Sequence, residues 1–361
     1  MRPQETSGPP LAHPWAGDWR HARRASVAEA SACRVLCFGD SLSKYGVVPR
    51  VLEGRLGGRA YNLAMGAAPP AASLAILERT LAAGARPAAI LVDFAPHLLG
   101  TSPRISSVLL PEVLGPVAAA RLGWDAGDPG LAASVALGGL VPTIKDRGEI
   151  RSALLDALHG VDRDPRRLAE AAALRNWGVN RGGHLAIRGA RHFADDAPWA
   201  PQLYPPEWSC TPLNATHVRR FLRLAEAHAI PVFWLIPPFS PEVHVRRACS
   251  GLDERYTAFV SRVARSFPGV TVVDGRGAGY GGEVHADAIH LDRRGAAVFT
   301  EEVAAVVAAR LGRPPAPAAA ADRWVHLPPY RDRPADAPLE DMLQSTLAVK
   351  SAAEAAGAVR R

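Results

Sequence analysis

Residues 34–42 read RVLCFGDSL, and this stretch decides the fold. The apolar run at 34–38 has the length and composition of a buried β-strand, and the Gly-Asp-Ser sequence at 39–41 ends it in a turn. The spacing of apolar residues then predicts a helix over 48–56. The chain therefore enters its folded part as a strand, a turn with polar side chains, and a helix.

The same alternation of strand and helix continues along the chain. Apolar runs predict further strands at 60–64, 88–94, 231–236 and 270–274. The intervening patterns predict helices at about 70–83, 211–228, 253–265 and 293–311. Short apolar strands that alternate with helices are typical of a parallel sheet with right-handed crossovers. We therefore expect an α/β fold with five parallel strands.

The remaining segments predict three additions to this domain, which spans 32–311. Residues 1–31 lack a clean period, so we expect an arm that packs on the surface or is partly disordered. Residues 101–209 contain helical stretches, at 151–159 and 167–174 among others, but no strong strand, which predicts a mostly helical insertion that forms a lid or substrate wall. Residues 312–361 begin as a Pro/Ala-rich linker, and the tail is expected to hold one helix around 338–355.

Composition sets limits on the class of protein. The 361-residue chain is 48% hydrophobic, so it has material for a large core. Its net charge is +7, but only three of the 42 basic residues are lysines and the arginines are scattered, which indicates compositional bias and no nucleic-acid partner. The four cysteines show neither a CxxC pair nor zinc spacing, so no metal site is expected.

No segment has the layout of a secretory signal peptide, and no apolar stretch reaches the length of a membrane span. A cytoplasmic location is the expectation.

Two polar motifs are candidates for chemistry. Ser41 follows the first predicted strand, and open α/β sheets bind ligands at the carboxyl ends of their strands. Asp287-Ala-Ile-His290 precedes the last helix of the domain. A serine hydroxyl needs a base, and an imidazole is most effective when a carboxylate fixes its tautomer. The alternatives are that Asp40 and Ser41 only form a turn or a helix cap, and that the second motif is a surface turn.

These two motifs resemble the first and last motif blocks of the SGNH/GDSL hydrolase superfamily, here as a divergent bacterial branch. The resemblance spans about residues 34–311, interrupted by the insertion. It implies a flavodoxin-like, three-layer α/β/α fold with strand order 2-1-3-4-5. It also implies that Ser41 is the nucleophile, that Asp287 and His290 complete a triad, and that no cofactor or metal takes part. His285, two residues before Asp287, is an alternative base, but its spacing from the aspartate fits the family's motif less well.

The resemblance further implies an oxyanion hole made by the Ser41 and Gly66 amides and by an asparagine after the third strand. Residues 92–97 read VDFAPH, with no asparagine. Three interpretations remain: His97 donates instead, Asn176 or Asn180 reaches in from the insertion, or the hole has two backbone donors. His97 is preferred because an imidazole N–H is a competent donor.

Asp93, in the same block, would oppose an oxyanion if ionised, so its expected role is to hold a loop or an arginine. Asp40, Asn176 and Asn180 are the candidate substrate contacts. The expected activity is cleavage of a small-molecule or carbohydrate ester through an acyl-enzyme. The alternatives are an O-acyltransferase that acts on a carbohydrate, and a non-catalytic binding protein of the same fold, which the missing asparagine favours.

Overall fold

A computed structural model describes residues 15–141, 150–151, 154–155, 158, 164–187, 203–205, 207–312, 323–334 and 336–359. Its centre is a parallel six-stranded sheet with strand order β2-β1-β3-β4-β5-β6. The strands are β1 Val35–Phe38, β2 Ala60–Asn62, β3 Ala89–Asp93, β4 Val232–Ile236, β5 Val270–Asp274 and β6 Trp324–His326. The α/β class and the order of the first five strands are confirmed.

The expected number of strands was wrong. β6 pairs with β5, through Val272 opposite Trp324 and Asp274 opposite His326, so the sheet has six strands. The sixth strand lies in the segment that the sequence predicted to be linker and tail. Its three residues are half-buried or exposed, so they lack the apolar run that marks the inner strands. A short edge strand of this kind has little signal in the sequence.

The helices of the described residues flank the sheet on both faces. They are α1 Ala16–Ala28, α2 Ser41–Gly46, α3 Pro49–Leu56, α4 Pro70–Ala82, α5 Pro96–Leu99, α6 Pro116–Asp125, α7 Pro129–Leu140, α8 Asp164–Val179, α9 Pro212–Ala227, α10 Pro241–Cys249, α11 Leu252–Ser266, α12 Arg293–Leu311 and α13 Met342–Val359. Short 3-10 turns lie at Ala30–Ala32, Pro103–Ser106, Leu110–Glu112, Arg276–Ala278 and Gly282–Val284. None of the helices in this described part of the chain is both long and apolar enough to span a membrane.

Two apolar cores cover the two faces of the sheet. On one face α1, α4, α9 and α11 contribute side chains such as Trp19, Phe221 and Val260. On the other face α3 and α12 contribute Leu52 and Phe299. Every residue of the first five strands is buried, because both faces are covered. This is why the strands read as continuous apolar runs in the sequence.

The N-terminal arm differs from its expected state from residue 15 onward. Trp19 and Ala22, on α1, have no exposed surface, and α1 packs against α4. The Trp19 indole N–H donates a hydrogen bond to the Gly66 carbonyl at 2.8 Å. Residues 1–14 of the predicted arm lie outside the described residues. The described part of the arm is therefore a component of the core.

The predicted insertion is described only in part. Within it the described residues include α6 and α7, which pack so closely that a Cβ on Gly123 would overlap the Ala132 side chain. The predicted helix at 167–174 lies within α8, whereas much of the predicted helix at 151–159 lies outside the described residues. α8 packs against α13, so the insertion and the C-terminal tail are joined.

Candidate active site

Ser41 is the first residue of α2 and follows β1 after a two-residue turn. The turn begins at Gly39, whose φ of +122° is a conformation that residues with a Cβ rarely adopt. A Cβ there would also overlap Asp93 Oδ1. The Asp40 side chain caps α2 by accepting a hydrogen bond from Leu42 N at 2.7 Å. The backbone around Ser41, which is only 8% exposed, is therefore tightly defined.

Asp93 is the last residue of β3 and holds this turn from the neighbouring strand. Its Oδ1 accepts hydrogen bonds from the amides of Asp40 and Ser43, both at 3.2 Å. The prediction that Asp93 holds a loop is confirmed. Asp40 is 1% exposed, and its side chain is used within the turn as the cap of α2. Contact between Asp40 and a substrate stays a prediction, which this capping role does not support.

Asp287 and His290 form a hydrogen-bonded pair in the loop before α12. His290 Nδ1 lies 2.7 Å from Asp287 Oδ2, and Asp287 Oδ1 accepts from the amides of Ile289 and His290 at 2.9 Å each. Burial by itself would raise the pKa of Asp287. The charge and ring hydrogen bond of His290 and the two amide bonds outweigh burial, and the pKa of Asp287 is lowered to about 2. This carboxylate is ionised at neutral pH.

His290 has one ring nitrogen left for chemistry. When Nδ1–H donates to Asp287, Nε2 carries the lone pair, and this atom is buried with no hydrogen-bond partner among the described residues. The predicted hydrogen bond between Ser41 and His290 is therefore not formed here. His285, the alternative base, is directed to its own turn, with Nδ1 2.8 Å from the Gly281 carbonyl.

A stack of aromatic rings connects His290 to the helix that begins with Ser41. The His290 ring stacks on Tyr45 of α2, with centroids 4.4 Å apart and an interplanar angle of 30°. The His184 ring also packs against Tyr45, and the centroids of these two rings are 4.5 Å apart. His184 Nδ1 in turn accepts a hydrogen bond from the Trp177 indole N–H at 3.0 Å. Sequence reasoning missed this stack, because its members are distant in the chain and lie in no common motif.

Gly66, the predicted second oxyanion donor, is engaged by α1. Its N–H donates to Asp18 Oδ2 at 2.7 Å, and a Cβ on Gly66 would overlap the Trp15 indole. Asp18 also forms an ion pair with Lys44 at 2.5 Å, and both side chains are almost fully buried. The prediction for Gly66 requires correction, because α1 was not expected to lie against this loop and it takes the amide.

His97 lies at the second position of α5, just after β3. Its Nδ1 is buried without a hydrogen-bond partner in the described part of the chain. Burial, followed by the charges of Arg247 and His290, lowers the pKa of His97 to about 3. The ring is therefore neutral at physiological pH and carries one N–H.

The two asparagines of the insertion bind the C-terminal tail. Asn176 Nδ2 donates to the Glu340 carbonyl at 2.8 Å, and its Oδ1 accepts from Leu185 N at 3.0 Å. Asn180 Nδ2 donates to the same carbonyl at 2.7 Å. Both side chains have no exposed surface. These bonds commit both side chains to the protein itself, so they give no support to the predictions that the two asparagines contact substrate or an oxyanion.

Apolar side chains from five segments of the chain meet at the His290 loop. They come from the start of α2, the segment after β3, residue 203 of the insertion, the segment after β4 and the His290 loop itself: Leu42, Ala95, Leu203, Phe239, Val243, Ala288 and Ile289. Among the residues that the structure describes, no three His, Cys, Asp or Glu side chains gather as a metal site. The arrangement thus combines a base with a carboxylate, a serine at a strand end and an apolar wall.

Compared with protein-family models and with curated proteins, the chain matches none of them.

Proposed function

We propose that this chain is a serine hydrolase of the SGNH/GDSL type, with a flavodoxin-like fold, that cleaves an ester bond through an acyl-enzyme. Ser41 is the nucleophile, His290 the base, and Asp287 the residue that orients His290. One observation carries the proposal: His290 is paired with an ionised carboxylate, keeps a buried and unpartnered Nε2, and stacks on the helix that begins with Ser41.

The reaction has two steps with balanced proton transfers. His290 Nε2 takes the proton of Ser41 Oγ as this oxygen bonds to the ester carbonyl carbon, and Asp287 stabilises the imidazolium. His290 then gives the proton to the departing alkoxide as the C–O bond of the ester breaks. In the second step His290 takes a proton from water, whose oxygen attacks the acyl-enzyme. The acid leaves, and Ser41 Oγ recovers its proton.

Closure of the Ser41–His290 hydrogen bond is part of the proposal. In unliganded active sites such bonds are commonly long and shorten when substrate binds. Ser41 lies four residues before Tyr45 on α2, so both residues lie on the same side of that helix, and Tyr45 is in contact with His290. Rotation about one side-chain bond changes the direction in which Oγ points.

The oxyanion hole of this proposal has two donors. The amides of Leu42 and Ser43 are used by Asp40 and Asp93, which leaves the Ser41 amide as the first-turn donor without a described partner. The neutral ring of His97 supplies the second donor in place of the missing asparagine. The apolar wall beside His290, which includes Leu42 and Leu203, would hold the acyl portion of the substrate.

The test is turnover of a short-chain p-nitrophenyl ester by the purified protein. Ser41→Ala and His290→Ala are expected to lower turnover at least about 10³-fold. The matched controls are Ser266→Ala, on the exposed end of α11, and His326→Ala, an exposed histidine of β6, and both are expected to keep wild-type rates. Equal turnover by wild type and Ser41→Ala would refute the proposal.

A non-catalytic binding protein of the same fold is the second candidate. Two observations favour it: the Gly66 amide is occupied by Asp18, and Ser41 and His290 are not hydrogen-bonded. Labelling with a fluorophosphonate separates the two candidates, since it needs an activated serine but no particular ester. If the wild-type protein stays unlabelled under conditions in which a known serine hydrolase is labelled, the result would favour the non-catalytic binding protein.

A further inference from the structure

Two carboxyl groups lie buried together directly behind Ser41. Asp40 and Asp93 are each 1% exposed. Neither forms an ion pair with a lysine, arginine or histidine of the described residues, and the pair is therefore not neutralised by a cation. Two carboxylates at this depth, both ionised and adjacent, would be strongly unfavourable.

The hydrogen bonds of the pair leave one oxygen on each residue without a partner. Asp40 Oδ1 accepts from Leu42 N, and Asp93 Oδ1 accepts from the amides of Asp40 and Ser43. Asp40 Oδ2 and Asp93 Oδ2 are both buried and have no donor among the described residues. The two carboxyl groups lie within hydrogen-bond reach of each other, so one proton shared between them can satisfy this contact.

Groups on the surrounding elements do not provide an alternative charge. Tyr256 of α11 faces the pair, and its phenol donates to the carbonyl of Phe94 at 2.9 Å. On α2, Lys44 is committed to Asp18. From β4, the residue paired with Asp93 is Leu235, which does not titrate.

The direction of the pKa shifts agrees with this geometry. Burial raises the pKa of Asp40 well above its usual range, and the charge of Asp93 and a hydrogen bond to Asp93 raise it further. Burial also raises the pKa of Asp93, although hydrogen bonds from Asp40 and Ser43 offset part of that shift. Asp40 is thus the group that retains the proton, and Asp93 is the acceptor.

We propose that Asp40 and Asp93 share one proton between their carboxyl groups and act together as positioning residues that fix the turn carrying Ser41. The positioning role rests on the proposed function of Ser41, whereas the shared proton does not. With the proton in place, Asp93 holds two amides of the turn and Asp40 caps α2. Loss of that proton at alkaline pH places two negative charges in the turn and loosens it.

Infrared difference spectra test the shared proton without reference to activity. At neutral pH the spectrum of wild type minus Asp40→Asn is expected to contain the C=O band of a protonated carboxyl group. Wild type minus Asp93→Asn is expected to show a shift in the position of this band, because the proton on Asp40 then loses its carboxylate acceptor. The matched control is Asp292→Asn, a buried cap of α12 with no neighbouring acid in its hydrogen bonds, which should leave the band in place.

Thermal unfolding as a function of pH is the second readout. A raised folded-state pKa of an acid contributes stability below the usual Asp pKa, and this contribution is lost as the pH rises through the folded-state value. The Tm of wild type and Asp292→Asn is therefore expected to fall with rising pH above that range, and the Tm of Asp40→Asn to fall less. Parallel Tm curves together with no carboxyl band in the difference spectra would overturn the proposal.

Activity separates positioning from a general loss of structure. Asp40→Ala is expected to lose most ester turnover, and Asp40→Asn to recover much of that loss, because the amide keeps an acceptor for Leu42 N and a donor for Asp93. If Asp40→Asn does not fold, ¹³C-carboxyl NMR titration of the wild-type aspartates reports the shared proton directly. If wild type shows no turnover, the proposed function fails, but the spectroscopic and unfolding results still decide whether the proton is shared.

Discussion

Single residues set the geometry around Ser41. Gly39 supplies a positive φ and the space for Asp93 Oδ1, while Asp93 supplies the acceptor for two amides of the turn. The Gly-Asp-Ser motif was visible in the sequence, but its dependence on Asp93 was not, because that contact joins residues more than 50 positions apart. The same holds for the packing of Tyr45 against His290.

Gly39→Ala should destabilise the protein by about 2–4 kcal/mol, because the new methyl group overlaps Asp93 and the backbone is strained. Urea unfolding measures the change. Gly54→Ala is the matched control: Gly54 lies within α3, and a Cβ there meets nothing within 4 Å. Removing a glycine from a helix should raise stability there by about 0.5–1 kcal/mol. A neutral effect of Gly39→Ala would contradict the account of the turn.

Asp287→Asn should lower ester turnover by about 10⁴-fold, because an amide cannot stabilise the imidazolium and favours the wrong tautomer of His290. Steady-state kinetics measures this loss. Asp336→Asn, an exposed substitution in the tail, is the control and should leave turnover unchanged. Full activity of Asp287→Asn would show that His290 is not oriented by this carboxylate.

The same carboxylate has a consequence for stability in acid. The folded-state pKa of Asp287 is lowered to about 2, so its contribution to stability is present above the usual Asp pKa and is lost as the pH falls toward 2. The difference in unfolding free energy between wild type and Asp287→Asn should therefore shrink between about pH 5 and pH 2. Urea titrations at several pH values measure it, and a constant difference would contradict the assignment.

At the scale of elements, the inner strands and long helices were predictable from the sequence, whereas α1 was not. β3, β4 and β5 are buried on both faces, and this burial produces continuous apolar runs with clear ends. The buried face of α1 consists of Trp19, two alanines and the polar residues Asp18 and Ser26, so it lacks the run of large apolar side chains that marks a core helix in the sequence. Its contact with Gly66 is a tertiary contact that no local pattern reveals.

Asp18→Ala should destabilise the protein by about 3–5 kcal/mol, because Lys44 is left as a buried charge without a carboxylate partner. Urea unfolding again measures the loss. The double variant Asp18→Ala/Lys44→Met should recover a large part of it, because the methionine carries no charge. Equal stability of the single and double variants would indicate that the ion pair is not the source of the effect.

At the scale of the whole molecule, the tail and the insertion are parts of one structure. β6 extends the sheet, α13 packs on α8, and the Glu340 carbonyl accepts from both Asn176 and Asn180. From the sequence, Asn176 and Asn180 of the insertion were expected to contact substrate. The sequence could not show their partner, which lies about 160 residues further along the chain.

Asn176→Ala should lower stability by about 1–3 kcal/mol, since it leaves the buried amide of Leu185 without its acceptor and removes one of the two donors to the Glu340 carbonyl. The KM for the ester should stay at the wild-type value, because the side chain does not reach the substrate. Thermal unfolding and steady-state kinetics measure the two effects. A raised KM with unchanged stability would contradict this prediction and would indicate that Asn176 contacts substrate.

The bond between the insertion and Glu340 also has a consequence for biosynthesis. Asn176 and Asn180 leave the ribosome long before their acceptor is made, and β5 stays at the open edge of the sheet until β6 follows. Until residues 324–340 emerge, the nascent chain therefore carries two asparagine amides without their native acceptor and a β5 strand with an unpaired edge.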